Sequence, residues 1–81
     1  MDKKIVSENK NFNINEFGER LLFLRKERGI GQNELAKKLN LSNASISYWE
    51  NAKQIPNAEV IYKLSKFFDV SADYLLGLKD W

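Results

Sequence analysis

The chain of 81 residues contains no cysteine and no histidine. Without cysteine it can form neither a disulfide nor a thiolate site, which fits a reducing compartment such as the cytoplasm. Because both residue types are absent, the two commonest soft ligands of metals are missing as well. We therefore expect no metal centre and no bound cofactor.

Long apolar runs are also absent. No stretch approaches the ~20 residues that a membrane span requires. The first residues, MDKKIVSENKNF, contain lysines but no apolar core, so we expect no signal peptide. Carboxylates are present, but no pair of them is confined to one evident cleft, which argues against general acid–base catalysis. We expect a cytoplasmic protein that is not an enzyme, contacts no membrane and binds no small-molecule ligand.

The composition, with 43% hydrophobic and 30% charged residues, is that of one small globular domain. The formal net charge is only +2, but positive charge is concentrated in the middle of the chain. Residues 20–53 contain seven lysines and arginines but only three acidic residues. Residues 1–19 and residues 54–81 each contain three basic and four acidic residues. A basic centre suits a phosphate-binding surface, although a solvated surface of mixed charge explains it equally well.

The most informative stretch is residues 32–50, QNELAKKLNLSNASISYWE. Apolar residues stand at helical spacing in two short segments, Leu35, Ala36 and Leu39 in the first and Ile46 and Trp49 in the second. Between them, Asn40 tolerates the left-handed conformation that ends a helix, and the hydroxyl of Ser42 can cap the start of the next. Two helices joined by so short a turn form a helix-turn-helix, whose second helix can lie in the DNA major groove.

The longer stretch GQNELAKKLNLSNASISYWENAKQIPN resembles the DNA-binding domain of the lambda repressor and Cro group, the Xre-type family of bacterial and phage regulators. The resemblance extends from about Phe17 to Gly77. Its most specific parts are Gln32 with the following ELA, the ISYWE run, Pro56 and the closing VSADYLLG. It implies an all-α, lambda-repressor-like domain of five helices, in which helices 2 and 3 form the helix-turn-helix.

Capping residues predict the helix boundaries. Helix 1 begins after Asn13 or Asn15 and ends at Arg28-Gly29. The other predicted boundary residues are Gly31 before helix 2, Asn57 and Asp69 around helix 4, and Ser71 and Gly77 around helix 5. Ala52 follows helix 3 where many family members have glycine, so the geometry of that turn stays open. We assign residues 1–12 to a mostly disordered arm, residues 13–77 to the DNA-binding domain and residues 78–81 to a short tail.

Apolar spacing predicts the buried face of each remaining helix. In helix 1 the inward stripe is Phe17, Leu21 and Leu24, with the stem of Arg28 extending it; in helices 4 and 5 the inward residues are Ile61, Leu64, Phe68, Leu75 and Leu76. Six apolar residues have no place on these faces or flank them: Leu22, Phe23, Tyr62, Phe67, Leu78 and Trp81.

If helix 3 buries Ile46 and Trp49, its outward residues are Asn43, Ala44, Ser47 and Tyr48. The resemblance implies that these positions reach base edges. Asparagine can pair with adenine through two hydrogen bonds, alanine can contact a thymine methyl, and serine can donate or accept. Tyr48 offers an aromatic face and a hydroxyl. Without the resemblance, the same residues would be read as ordinary polar surface.

Three further residues are implied to hold phosphates. Gln32 opens helix 2, whose free N–H groups and positive dipole end can bind an anion. Asn51 and Lys53 follow helix 3 at family positions that contact neighbouring phosphates, contacts that set register more than sequence preference. A solvated lysine is the alternative for Lys53.

The resemblance also implies an ion pair between Arg25 on helix 1 and Glu50 on helix 3. A guanidinium can donate two parallel hydrogen bonds to a carboxylate, which would fix the recognition helix against helix 1. Arg25 could instead reach a phosphate.

Together these features predict a sequence-specific, double-stranded DNA-binding transcriptional regulator that acts as a repressor. The alternative is a protein-interaction module, such as an antitoxin or anti-repressor partner, on the same scaffold. Four residues after Gly77 are too few for a sensor or oligomerisation domain, so we expect control through concentration, proteolysis or a partner protein.

We further expect a homodimer on a palindromic operator, formed through the six unassigned apolar residues. The competing account is a monomer in which the Trp81 tail folds back onto Leu22 and Phe23.

Overall fold

The structure, a computed structural model, describes residues 11–81. In that range the regular elements are five helices: α1 (Ile14–Arg28), α2 (Gln32–Leu39), α3 (Asn43–Glu50), α4 (Ala58–Phe68) and α5 (Ala72–Leu76). The prediction of an all-α fold with five helices is confirmed. The predicted arm, residues 1–12, lies outside the described residues except for Asn11 and Phe12. None of the described helices combines the length and apolar character needed to span a membrane.

Side chains cap the start of every helix except α2. The backbone N–H of Glu16 donates to Oδ1 of Asn13 over 3.1 Å, so α1 begins after Asn13 and not after Asn15. The caps of the other three helices are Ser42, Asn57 and Ser71. Gly31 precedes α2 and offers no side-chain cap, which leaves the first N–H groups of that helix free of any side-chain acceptor.

Left-handed residues follow all five helices, and three of them are not glycine. Asn40, Ala52 and Asp69 have φ angles of 58°, 60° and 57°. The geometry after α3 is thereby defined, because Ala52 takes the conformation that glycine would adopt more readily. The strain there costs roughly 1–2 kcal/mol. It is offset by two backbone hydrogen bonds, from the N–H of Ala52 to Trp49 and from the N–H of Lys53 to Tyr48, of 3.2 and 2.8 Å.

The core draws on all five helices. Its fully buried side chains are Phe17, Leu21, Leu35, Ile46, Leu64 and Leu75. Leu24 and Leu76 are partly buried against this cluster. Arg28, whose stem we expected to extend the inward stripe, is exposed, and its guanidinium carbon lies 5.0 Å from the ring centroid of Phe67 and 5.3 Å from that of the core residue Phe68.

Gly18 allows α1 to pass unusually close to the end of α3. A Cβ atom on this buried glycine would lie 2.6 Å from the carbonyl oxygen of Trp49 and 2.9 Å from that of Glu50. Both atoms belong to backbone, so neither can move aside without shifting a helix. No local sequence pattern predicts this contact, because it depends on how two distant segments cross.

Residues on both sides of the predicted domain, residues 13–77, contact its first helix. Phe12 is partly buried and its ring centroid lies 6.0 Å from that of Phe17, so packing begins before Asn13. Residues 78–81 are held against α1 by Arg20, which donates to the carbonyl oxygens of Tyr74 and, over 2.7 Å, Lys79. This arrangement does not bury Trp81, whose side chain stays 75% exposed.

Gly18→Ala is expected to destabilise the fold even though alanine is the better helix former. The gain in helix propensity is about 1 kcal/mol, whereas forcing a methyl group against two carbonyl oxygens should cost about 1–3 kcal/mol or more. Gly31→Ser is the matched control. No atom lies within 4 Å of a Cβ at Gly31, and serine would add the missing cap, so a gain of a few tenths of a kcal/mol is expected. Urea unfolding followed by circular dichroism measures both, and a Gly18→Ala variant as stable as the parent would contradict the close approach.

Candidate nucleic-acid interface

The orientation of α3 follows from the two residues that it buries. Ile46 and Trp49 are 0% and 5% exposed and face the core with α1 and α2 behind them. The opposite side of α3 therefore meets solvent. It carries Asn43 and Ala44, which are exposed, Ser47, which is half-buried, and Tyr48, which is 49% exposed. All four predicted base-reading residues thus lie on one side of one helix, which we call the reading face.

Asn43 and Tyr48 are free to bind a ligand. Ser42 Oγ accepts the N–H of Ser45 over 3.1 Å and fixes the first turn of α3. The side-chain amide of Asn43 and the hydroxyl of Tyr48 have no hydrogen-bond partner among residues 11–81. Polar groups of this kind are solvated in the isolated chain and can exchange water for a partner at little cost.

Asn51 closes the end of α3. Its Nδ2 atom donates to the carbonyl oxygen of Ser47 over 2.9 Å and to the Oγ atom of Ser47 over 3.3 Å. The side chain predicted to hold a phosphate is therefore already bonded within the helix, with its Oδ1 facing no described partner. In this position Asn51 also restrains the hydroxyl of Ser47.

Lys53 and Gln54 lie beside Tyr48 just past the end of the reading face. The three residues line a shallow depression of about 290 Å³. Lys53 is exposed and forms no ion pair among the described residues. Its charge is therefore available to an anion that lies next to the reading face.

Gln32 also has a partner inside the domain. It opens α2 as predicted, but its side chain is half-buried and its Nε2 atom donates to Oε1 of Glu50 over 2.9 Å. An amide nitrogen carries two hydrogens, so one remains for another acceptor. The uncapped backbone N–H groups of α2 lie at the same helix end.

Arg25 and Glu50 form a bidentate ion pair. Arg25 Nε lies 2.6 Å from Oε2 of Glu50, and Nη2 lies 2.9 Å from Oε1. The side chains are only 10% and 5% exposed, and Nη1 of Arg25 also donates to the carbonyl oxygen of Ile30 over 3.0 Å. The hydrogen bonds to Glu50 raise the pKa of Arg25 above its ordinary value, with burial acting in the opposite direction. Through Arg25 and Gln32, the carboxylate of Glu50 connects α3 to α1 and α2.

Comparison with known proteins gives one consistent result. Residues 21–75 match the helix-turn-helix family HTH_3. The chain is 44% identical over 62 residues to the transcriptional activator BcrR of Enterococcus faecalis, covering 76% of this chain and 30% of BcrR. It is 42% identical over 64 residues to repressor protein C2 of Salmonella phage P22, covering 79% of this chain and 30% of C2.

The fold agrees with the sequence comparison. A crystal structure of the P22 C2 repressor with a synthetic operator superposes with a TM-score of 0.71 at 43% identity, covering 74% of this chain and 91% of that one. The chain spans less than a third of the length of BcrR and of C2, so the similarity concerns their helix-turn-helix portions.

The Arg25–Glu50 pair should stabilise the fold cooperatively. Arg25→Ala or Glu50→Ala leaves the opposite charge buried without its partner, so each should lower the free energy of unfolding by about 3–5 kcal/mol. The double variant should lose less than the sum of the two, because its second substitution removes a charge that is already unpaired. Lys26→Ala, at the exposed neighbour of Arg25, is the control. Urea unfolding measures all four, and strict additivity would contradict the coupling.

Proposed function

Since this chain belongs to the helix-turn-helix family HTH_3, we propose that it is a sequence-specific regulator of transcription that binds double-stranded DNA. We propose repression as its action because the likeness to the P22 C2 repressor is found in both sequence and structure. Its relatives are bacterial or phage proteins, and the bacterial cytoplasm, where the DNA lies, is its proposed location. The observation that carries the proposal is the reading face, with Asn43 and Tyr48 exposed on a helix whose other side is fixed in the core.

In the proposed complex, α3 lies in the major groove and the reading face meets base edges. Asn43 stands in the first turn, which is the part of a recognition helix that enters deepest. Its amide can form two hydrogen bonds with adenine, and Ala44 beside it can contact a thymine methyl. Tyr48, one turn further on, can place its ring or hydroxyl against a base edge or a phosphate. Ser47, held by Asn51, contributes a hydroxyl of defined position.

Phosphates are proposed to bind at both ends of the helix-turn-helix. At one end, the uncapped N–H groups of α2 and the second amide hydrogen of Gln32 donate to a phosphate. The positive end of the α2 dipole attracts the same phosphate. At the other end, Lys53 and Asn51 lie just past α3. These contacts carry no base information, but they set the register in which the reading face meets the bases. We assign DNA binding to residues 13–77, extended by the packed side chain of Phe12.

A homodimer on a palindromic operator completes the proposal. Two copies related by a two-fold axis place two reading faces in successive major grooves, about 34–36 Å apart. The exposed apolar residues available for self-association are Phe23, Ile55, Tyr62, Leu78 and Trp81, which are 56%, 72%, 64%, 71% and 75% exposed. Phe67 and Leu22, the other two of the six apolar residues that the sequence left unassigned, are half-buried. Phe67 is covered by Arg28 and packs edge-on against Phe68.

Base reading is tested by selecting duplexes from a random DNA pool. Tyr48→Ala and Asn43→Ala should each weaken binding to the selected site by about 1–3 kcal/mol and relax the preference at one base pair. Tyr62→Ala, at an exposed tyrosine on α4, is the control and should leave the preferred site unchanged. The assignment fails if both α3 variants select the same sequence as the parent.

Phosphate binding is tested by salt titration. Lys53→Ala should weaken binding to all duplexes alike and reduce the slope of log K against log salt by about one. A protein-interaction module without DNA-binding activity would show no salt-dependent binding to duplex DNA, and a partner held through an apolar interface would bind it with little dependence on salt. Binding to duplex DNA that does not weaken as salt rises would contradict the proposed regulator.

Dimerisation is tested by sedimentation of the chain and of a Leu78→Ser/Trp81→Ser variant. The substitutions keep the backbone contacts of Arg20 with the tail, which truncation at Gly77 would remove. The parent should dimerise, and the variant should need at least about tenfold more protein to do so, because it loses apolar area from the interface. A parent chain that stays monomeric at high micromolar concentration would restrict the dimer to DNA.

A further inference from the structure

A second surface lies in the groove between α2 and α4. Six residues line it: Lys38, Leu39, Tyr62, Lys63, Lys66 and Phe67. The groove is a shallow, open depression of about 350 Å³, which gives room for one or two apolar side chains and lies at the lower end of small-molecule pocket volumes. None of its residues belongs to the reading face or to the proposed phosphate contacts.

The base of this groove is apolar and held in place. Leu39 and Phe67 are half-buried and pack against the core, and the ring of Phe67 meets that of Phe68 edge-on with centroids 4.9 Å apart. Tyr62 forms one wall and is 64% exposed. An exposed aromatic beside a preformed apolar depression is typical of a surface that receives a side chain from a partner.

The rim of the groove is positive. Lys63 Nζ donates to the carbonyl oxygen of Leu39 over 3.0 Å, which fixes it at the rim, and its nearest carboxylate is that of Glu59 at 3.8 Å. Lys66 Nζ lies 5.9 Å from the ring of Tyr62. Neither Lys38 nor Lys66 has a carboxylate partner among the described residues. Three lysines therefore surround an apolar base that no acidic residue lines.

We propose that this groove docks an acidic segment of a partner protein, with one apolar side chain of the segment in the depression and its carboxylates against Lys38, Lys63 and Lys66. Charge complementarity selects this occupant. A second copy that meets this one groove to groove fits poorly, because such a contact would set lysines against lysines. Duplex DNA fits poorly as well, because phosphates gain nothing from the apolar base. The groove thus gives the protein a contact that is separate from its DNA-binding residues.

The probe is a fluorescein-labelled peptide of twelve residues in which glutamates flank a central Trp-Leu pair. Fluorescence anisotropy measures its binding to the full chain and to Lys66→Glu, Tyr62→Ser and the control Lys26→Glu, which reverses an exposed lysine on α1. Two control peptides replace the glutamates by glutamine or the Trp-Leu pair by serine. Thermal unfolding checks that each variant is folded.

The expected result is that Lys66→Glu and Tyr62→Ser each weaken binding about tenfold or more, whereas Lys26→Glu changes it less than about twofold. Both control peptides should bind more weakly than the probe. Amide chemical-shift changes on adding the probe should cluster at Leu39, Tyr62 and Phe67. Binding that survives addition of duplex DNA would further support a separate surface.

Several results would overturn the proposal. Equal losses in Lys26→Glu and Lys66→Glu would show general charge attraction, and undiminished binding of the glutamine peptide would show that charge plays no part. No binding of the probe, or shifts that cluster on α3, would remove the groove as its site. A Tyr62→Ser variant that dissociates a dimer would assign the groove to a second copy. If duplex DNA displaces the probe and itself shifts the amide signals of the groove residues, the groove would be assigned to nucleic acid.

Discussion

The arrangement of this molecule depends on the carboxylate of Glu50. Its side chain is only 5% exposed and carries a negative charge at the end of α3, where burial would be costly without close partners. Arg25 provides two hydrogen bonds from α1, and Gln32 provides one from α2. Because three helices meet at one carboxylate, α3 cannot rotate about its axis without breaking charge-assisted hydrogen bonds. Its reading face therefore has a defined direction.

Gly18 adds a second constraint at the same end of α3. The backbone of α1 passes so close to the carbonyl groups of Trp49 and Glu50 that a side chain at position 18 would not fit. The close approach brings Arg25, two turns further along α1, within reach of Glu50. Steric contact and ion pairing thus fix the C-terminal end of α3, while its first turn, with Asn43 and Ala44, stays exposed. A rigidly supported helix with one free side suits recognition, because the groups that meet the bases need little ordering on binding.

Positive charge serves two surfaces of different character. The central excess of lysine and arginine in the sequence suits a phosphate-binding surface and a solvated surface of mixed charge equally well. In the fold, Lys53 lies beside the reading face, and Arg25 forms an internal ion pair with Glu50. Lys38 lines a groove with an apolar base, together with Lys63 and Lys66. A phosphate surface needs charge alone, whereas the groove combines charge with an exposed aromatic. The proposed function therefore draws on only part of the basic surface.

The sequence by itself determined the helices and most of the core. Caps such as Asn13 and Ser42 accept from N–H groups three residues away, so helix starts can be predicted from the local sequence. Apolar spacing within one helix likewise predicts which side of that helix is buried. Only the tertiary structure decided the contacts between distant segments. Arg20 donates to residues 54 and 59 positions later, and Gln32 donates to Glu50, 18 positions later. Gly18 is required by a helix crossing, and the groove exists because α4 packs beside the end of α2. These features depend on the distances and angles between helices, which no local pattern specifies.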